Sequence, residues 1–138
     1  MWSAERSIET SAAPEAVWRE WADVPNWPEW NADLERAELD GEFDVGSAIR
    51  MTSKDGDVVE LRIAEAVEPQ QFVDEVDFGN VVVRTTHRVE PTDGERARIV
   101  YRMEISGPEG DIVGPELGPQ ISGDFPEVLQ ALAARAER

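Results

Sequence analysis

The 138-residue sequence has no cysteine, one histidine (His87), one tyrosine (Tyr101) and one lysine (Lys54). Without cysteine there is neither a disulfide framework nor a thiolate metal site, and a lone histidine rules out a multi-histidine centre within one chain. No metal and no cofactor are expected. The chain also lacks the run of about eighteen apolar residues that a membrane-spanning helix needs. Its first residues, Met-Trp-Ser-Ala-Glu-Arg, lack the basic-then-apolar order of a secretory leader, so a cytoplasmic location without membrane insertion is expected. Basic residues are scarce: 13 Lys and Arg against 30 Asp and Glu leave a net charge of -17. Such a charge repels phosphate backbones and anionic headgroups, which excludes nucleic acid as a partner. A basic protein partner, drawn to an acidic surface by fast and salt-sensitive association, stays open.

A hydrophobic content of 41% is too high for a disordered acidic tail and, at this length, suits one domain over residues 1–138 with a buried core. Residues 2–10 read as a first strand. Pro14 opens a short helix through Ala22 that places Val17 and Trp21 on one face, and a second helical turn is expected at Trp27–Trp30, capped by Asn26 with Pro28 in its first turn. From residue 33 the hydrophobic period becomes two, giving strands near 33–40, 46–53, 57–67, 71–78, 81–90 and 96–106. The links between them are short, so neighbours in sequence pair as hairpins and the sheet is antiparallel.

Turn chemistry sets the register, because a slip of one residue would turn every apolar side chain to the wrong face. A two-residue Gly79-Asn80 hairpin sets Phe78 opposite Val81, so Phe72, Asp74, Val76 and Phe78 share a face with Val83, Thr85, His87 and Val89. Three-residue loops at Lys54-Asp55-Gly56 and Thr92-Asp93-Gly94 add Ile49, Met51, Val59, Leu61 and Ile63 on one side, and Ile99, Tyr101, Met103 and Ile105 on the other. Glu60, Arg62, Arg102 and Glu104 then point outward. At the C-terminus, Leu117, Ile121, Phe125, Val128, Leu129, Leu132 and Ala136 recur at helical spacing. Pro126 removes a helical hydrogen bond and crowds the carbonyl four residues back, so a kink is expected near Gly123.

Several local segments carry a family resemblance. Pro14-Glu15-Ala16-Val17-Trp18, Trp27-Pro28-Glu29-Trp30-Asn31, Asp40-Gly41 to Gly46-Ser47, Thr86-His87-Arg88-Val89-Glu90 and Leu117-Gly118-Pro119 resemble the polyketide cyclase/dehydrase family of the START-like (SRPBCC) superfamily. The resemblance spans nearly the whole chain. It implies an α+β helix-grip fold, in which a curved seven-stranded antiparallel sheet and two short helices wrap around a long C-terminal helix. It also implies a cavity between sheet and helix for hydrophobic ligands, in proteins that serve as carriers, cyclases or protein-interaction modules. One departure is Ala13, where such proteins often place a serine cap; its loss weakens the first helix by about 1 kcal/mol.

On the inner face the register sets Asp74 opposite Thr85, His87 diagonal to Asp74, and Tyr101 opposite Thr85. A histidine oriented by a carboxylate exchanges protons near neutral pH, and a tyrosine donates to a ligand carbonyl, so His87, Tyr101 and Asp74 are the candidate catalytic group. The plainer reading is that buried polar groups satisfy one another. Candidate ligand-lining residues are Trp30 from the aromatic helical turns, Ile49, Met51 and Phe72 from the middle strands, Val83, Thr85 and Met103 from the later ones, and Leu117 and Ile121 from the helix. The leading expectation is a hydrophobic small molecule, such as a lipid or polyketide-like compound, carried or sequestered in the cavity. The alternatives are a cyclase or dehydratase using His87 and Tyr101 with Asp74 orienting, and an acidic protein-interaction module.

Overall fold

The computed structural model describes residues 1–138. Strand β1 (Trp2–Thr10) leads into helix α1 (Pro14–Ala22) and a 3-10 turn (Val24–Glu29). Six strands follow: β2 (Leu34–Asp40), β3 (Ala48–Ser53), β4 (Val58–Val67), β5 (Gln71–Asp77), β6 (Val82–Pro91) and β7 (Ala97–Ser106). Helices α2 (Gly110–Ser122) and α3 (Phe125–Ala136) close the chain. All strands form one antiparallel sheet in the order β1-β7-β6-β5-β4-β3-β2. A bulge between Ile63 and Glu65 inserts Ala64 into the β4–β5 ladder, the kind of irregularity that bends a strand.

The antiparallel meander and the inward apolar faces agree with the hydrophobic pattern. Gly79, at φ +91, opens the two-residue hairpin, and the Phe78 amide donates to the Val81 carbonyl at 2.9 Å. The β3–β4 loop is also the expected one, with the Ser53 amide donating to Asp57 across Lys54-Asp55-Gly56. The β6–β7 loop differs. Thr92 donates to the Arg96 carbonyl, so the loop is Asp93-Gly94-Glu95 with Gly94, at φ +72, in its middle. The register moves by two residues, which preserves the faces but changes the partners: Tyr101 lies beside His87, and Met103 beside Thr85. Ile99 then pairs with Val89 and Ile105 with Val83, so apolar pairs flank the polar ones on the inner face.

The second helical turn also differs, beginning at Val24 with Pro25 in its first turn and Pro28 inside it. Asn26 does not cap it; its side-chain amide donates to Asp23 at 2.7 Å. Helix α1 begins at Pro14 behind Ala13, which makes no side-chain cap. The C-terminal helix breaks at Gly123–Asp124, as Pro126 requires. Helix α2 lies on β1 and β7, α3 on β1 and α1, and the 3-10 turn on β2. The close fit of α2 depends on glycine: a Cβ on Gly114 or Gly118 would sit 2.4 or 2.3 Å from Trp2. The core runs from the α1 tryptophans through the inner strand faces to Phe125, Leu129 and Leu132 of α3.

Candidate functional site

Three strands deliver the polar group. Alternation on β5 turns Asp74 inward between Phe72 and Val76; on β6 it turns Thr85 and His87 inward, and on β7 Tyr101. Asp74 pairs with Thr85 and His87 with Phe72, as the Gly79-Asn80 hairpin requires. His87 Nε2 lies 3.7 Å from Asp74 Oδ2, and the His87 ring stacks on Phe72 at 4.0 Å and 1°. Tyr101 meets the same imidazole edge-on at 4.6 Å. From α1, Trp21 donates its indole N–H to the Tyr101 hydroxyl at 3.1 Å.

Hydrogen bonding assigns the protons. His87 Nδ1 lies 3.3 Å from the Phe72 carbonyl, which only accepts, so Nδ1 carries hydrogen and Nε2 presents a lone pair towards Asp74. Burial pushes the Asp74 carboxyl up to about 8, helped by the charge of Glu75. Burial pushes His87 down to about 3, against the opposing bond to Phe72. Burial also raises Tyr101, the Trp21 N–H opposes that rise, and the charges of Asp74 and Asp124 add to it. At neutral pH the cluster therefore holds a protonated carboxyl, a neutral imidazole with a free lone pair, and a phenol. The phenol oxygen accepts from Trp21, which leaves its own proton free to donate.

The candidate lining residues fall into three groups. Ile49, Phe72, Val83 and Met103 are sealed in the core, at 0, 1, 4 and 0% exposure. Aromatic rings fill much of the expected space: Phe72 packs against Trp21, Trp27 and Phe43 at 5.4, 6.2 and 5.0 Å. Met51, Leu117 and Ile121 are half-buried at the border of that core, with Val59, Val76 and Val113. Thr85 keeps 9% of its surface beside the polar cluster.

Trp30 belongs to a different place. It walls a cleft of about 410 Å³ between the 3-10 turn, the start of β2, the β3–β4 turn and the bend between α2 and α3. Asp33, Lys54, Asp124 and Glu127 line this cleft. The Trp30 indole N–H is the one buried side-chain polar group without a hydrogen-bond partner. Burial first, and then the neighbouring Asp33 carboxyl, push Asp124 up to about 6. Sequence spacing carries no sign of this pair, whose members lie on separate elements and meet only through the bend. Trp21 had a sequence signal for the core in its helical spacing, but its bond to Tyr101 spans 80 residues and has none.

Comparison with known proteins places the geometry in a family. The sequence matches the family of polyketide cyclase/dehydrase and lipid transport proteins over residues 1–137. No curated protein matches the chain in sequence. Among solved structures, a norcoclaurine synthase mutant of Thalictrum flavum with a transition-state analogue is similar at TM-score 0.75 and 17% identity, covering 97% of this chain and 92% of its own. A START superfamily protein from Mycobacterium smegmatis is similar at TM-score 0.76 and 15% identity, covering 98% and 97%. The di-domain ARO/CYC protein BexL of the BE-7585A biosynthetic pathway gives TM-score 0.77 and 20% identity, with 99% of this chain matching 47% of that one. These identities carry the fold alone, whereas the sequence match extends over nearly every residue. The chain belongs to the polyketide cyclase/dehydrase and lipid transport family, within the START-like fold.

Proposed function

We propose that the protein binds an apolar small molecule between the inner sheet face and the C-terminal helix, with the polar end of that molecule against Asp74, His87 and Tyr101. The observation that carries this reading is where the remaining exposure of the inner face lies. The His87 and Asp74 side chains keep 11 and 8% of theirs, while Ile49, Ile63, Phe72 and Met103 keep at most 1%. The polar atoms thus keep a solvent contact that these core side chains lack. Asp74 makes no hydrogen bond to the protein, its nearest polar side-chain partner being His87 at 3.7 Å. A ligand group within reach of this carboxyl supplies a hydrogen bond that the protein leaves unmade. Half-buried Met51, Leu117 and Ile121 give such a molecule an apolar wall. The family supports this reading, because its description covers both lipid transport and cyclisation.

A native mass spectrum of the purified protein, followed by solvent extraction, tests it. An apolar adduct that is lost in Asp74→Ala supports the site. Absence of any adduct, together with no equilibrium binding of apolar fluorescent probes, counts against it.

The same group supports a second reading, cyclase or dehydratase chemistry, because its proton states are complementary at neutral pH. Tyr101 has a proton free for a carbonyl oxygen, and His87 Nε2 has a lone pair free to take the proton from the adjacent carbon. A His87→Gln variant with unchanged turnover of a substrate would remove this role.

A further inference from the structure

The cleft beside Trp30 is lined by carboxylates that no cation of the chain neutralises. Glu29 comes from the 3-10 turn, Asp33 from the link to β2, Asp124 from the bend and Glu127 from the first turn of α3. Asp124, Glu127, Val128 and Ala131 recur at helical spacing, so one helix face brings both acids and apolar side chains to the cleft. The Lys54 amide donates to the Asp33 carbonyl at 3.0 Å, which holds the β3–β4 turn beside the same residue. The paired cations lie elsewhere. On the outer face of the sheet Arg36, Arg50, Arg84, Arg88, Arg98 and Arg102 pair with glutamates, and Arg135 pairs with Glu20. Neither the cleft carboxylates nor Lys54, the cation that lines the cleft with them, enter any ion pair.

Trp30 adds a donor to this acidic lining. It keeps 6% of its surface exposed, walls the cleft, and its indole N–H makes no hydrogen bond. An acceptor brought to that N–H makes a bond that the protein leaves unmade. Pro28, Ala32, Val128 and Ala131 supply apolar surface between the polar groups. The acids are spread along the walls, and no three of them form a group that could hold a metal ion. A volume of about 410 Å³ is instead that of a small-molecule site.

We propose that this cleft is a second binding site, which takes a small organic ammonium compound carrying an oxygen acceptor next to its amine. The ammonium lies against Asp33, Asp124 and Glu127, the oxygen accepts from Trp30, and the hydrocarbon part rests on Val128 and Ala131. Burial first, then the neighbouring Asp33 carboxyl and the charge of Glu127, push Asp124 up to about 6, and a bound ammonium opposes that rise. The site is separate from the polar group of the inner face. Packed rings divide the two, from Trp30 to Trp27 at 5.9 Å, from Trp27 to Phe72 at 6.2 Å and from Phe72 to His87 at 4.0 Å.

The test is titration of the isotope-labelled protein with three matched compounds, followed by the Trp30 indole N–H cross-peak in NMR. That peak is identified by its loss in Trp30→Phe. The compounds are trans-2-aminocyclohexanol, with charge and acceptor, cyclohexylamine, with the charge alone, and trans-1,2-cyclohexanediol, with acceptors alone. The amino alcohol is expected to shift the peak saturably, the amine to bind about fivefold more weakly and the diol about tenfold more weakly. Added salt should weaken both amines and leave the diol unchanged, because screening acts on charge. In the double variant Asp124→Asn, Glu127→Gln, the amino alcohol should bind about tenfold more weakly while the diol binds as in wild type. A Trp30 peak that none of the compounds moves, or a diol that binds as tightly as the amino alcohol, overturns the proposal. So does an unchanged affinity in the double variant, and the wild-type comparisons decide the matter even if that variant fails to fold. Shifts confined to the amides of Val76, Thr85 and His87 would place the compounds at the inner face and also overturn it.

Discussion

The two flanks of the C-terminal helix are held by opposite kinds of contact. Against β1 and β7, α2 presents Gly110, Gly114, Gly118 and Ser122, all buried, and lies directly on Trp2. On the β2 side, the bend faces a cleft lined by Asp33, Lys54, Asp124 and Glu127 and by an indole whose N–H is unpaired. The first flank is set by a close apolar fit of glycine on Trp2. The second crowds three carboxyls around the bend, and burial with the neighbouring Asp33 pushes Asp124 up to about 6, so its charge changes with pH. The difference in contact chemistry separates a flank set by shape from one set by charge.

The strongest way to break the comparison is to spoil the flank set by shape. In Gly114→Ala the new Cβ meets the Trp2 Cβ, which is anchored to the backbone and cannot swing away. The expected loss is about 3 kcal/mol of stability, read as a lowered denaturant midpoint. In Gly118→Ala the Cβ meets the far end of the Trp2 ring, which can shift, so the loss is expected to be smaller. Equal losses would mean that Trp2 does not set the helix position.

The polar group lies under Trp21 and Phe125, and its pH dependence adds a second charge-set feature to the comparison. Asp74 has its pKa raised from 3.8 to about 8, so the stability it contributes is present below 3.8 and lost as the pH rises through about 8. His87 has its pKa lowered from 6.5 to about 3, so its contribution is present above 6.5 and lost as the pH falls through about 3. Between 3.8 and 6.5 the two trends oppose each other, and from 6.5 to about 8 only the Asp74 loss remains. The Asp124 contribution, lost through about pH 6, is largely spent before that window. Stability is therefore expected to fall by about 2 kcal/mol between about pH 6.5 and 8. In Asp74→Asn, thermal unfolding in this window should lose most of that slope. An unchanged slope would place its origin elsewhere.

How much of this was legible in the sequence follows from the range over which each contact acts. Alternation and turn residues are local, so the inward positions of Asp74, His87 and Tyr101 and the pairing of Asp74 with Thr85 could be read directly. The break at Gly123–Asp124 was legible too, because Pro126 acts on the carbonyl four residues before it. The β6–β7 register was not, since loops at 92–94 and 93–95 both keep the apolar faces together and only cross-strand packing chooses between them. For the site, alternation marked Phe72 and Met103 as facing inward. It could not show that aromatic rings from α1 and the 3-10 turn would fill the space beside Phe72. The Asp33–Asp124 pair left no trace at all, because neither residue belongs to a periodic face.

Within α3 the C-terminal end is tied to α1 by a charged hydrogen bond. Arg135 and Glu20 keep 24 and 21% side-chain exposure and pair at 2.6 Å. Arg135→Ala removes a partly buried charged hydrogen bond and is expected to cost about 1.5 kcal/mol in denaturant unfolding. A denaturant midpoint unchanged from wild type would show that this pair does not fix the end of the helix.

The smallest expected effect separates the two tryptophans beside the cleft. Trp27 donates its indole N–H to the Trp21 carbonyl at 2.9 Å, whereas the Trp30 N–H has no partner. Replacement by phenylalanine removes similar apolar surface in both cases, but only Trp27→Phe leaves a carbonyl unpaired. Trp27→Phe should therefore be the more destabilising by about 1 kcal/mol. Equal costs would mean that the Trp30 N–H makes a bond in solution, so that the β2 flank is as fully satisfied as the glycine flank. The predicted inequality would instead mean that the β2 flank keeps a buried donor free. That is what a wall bordering a ligand path tolerates and a permanently closed wall does not.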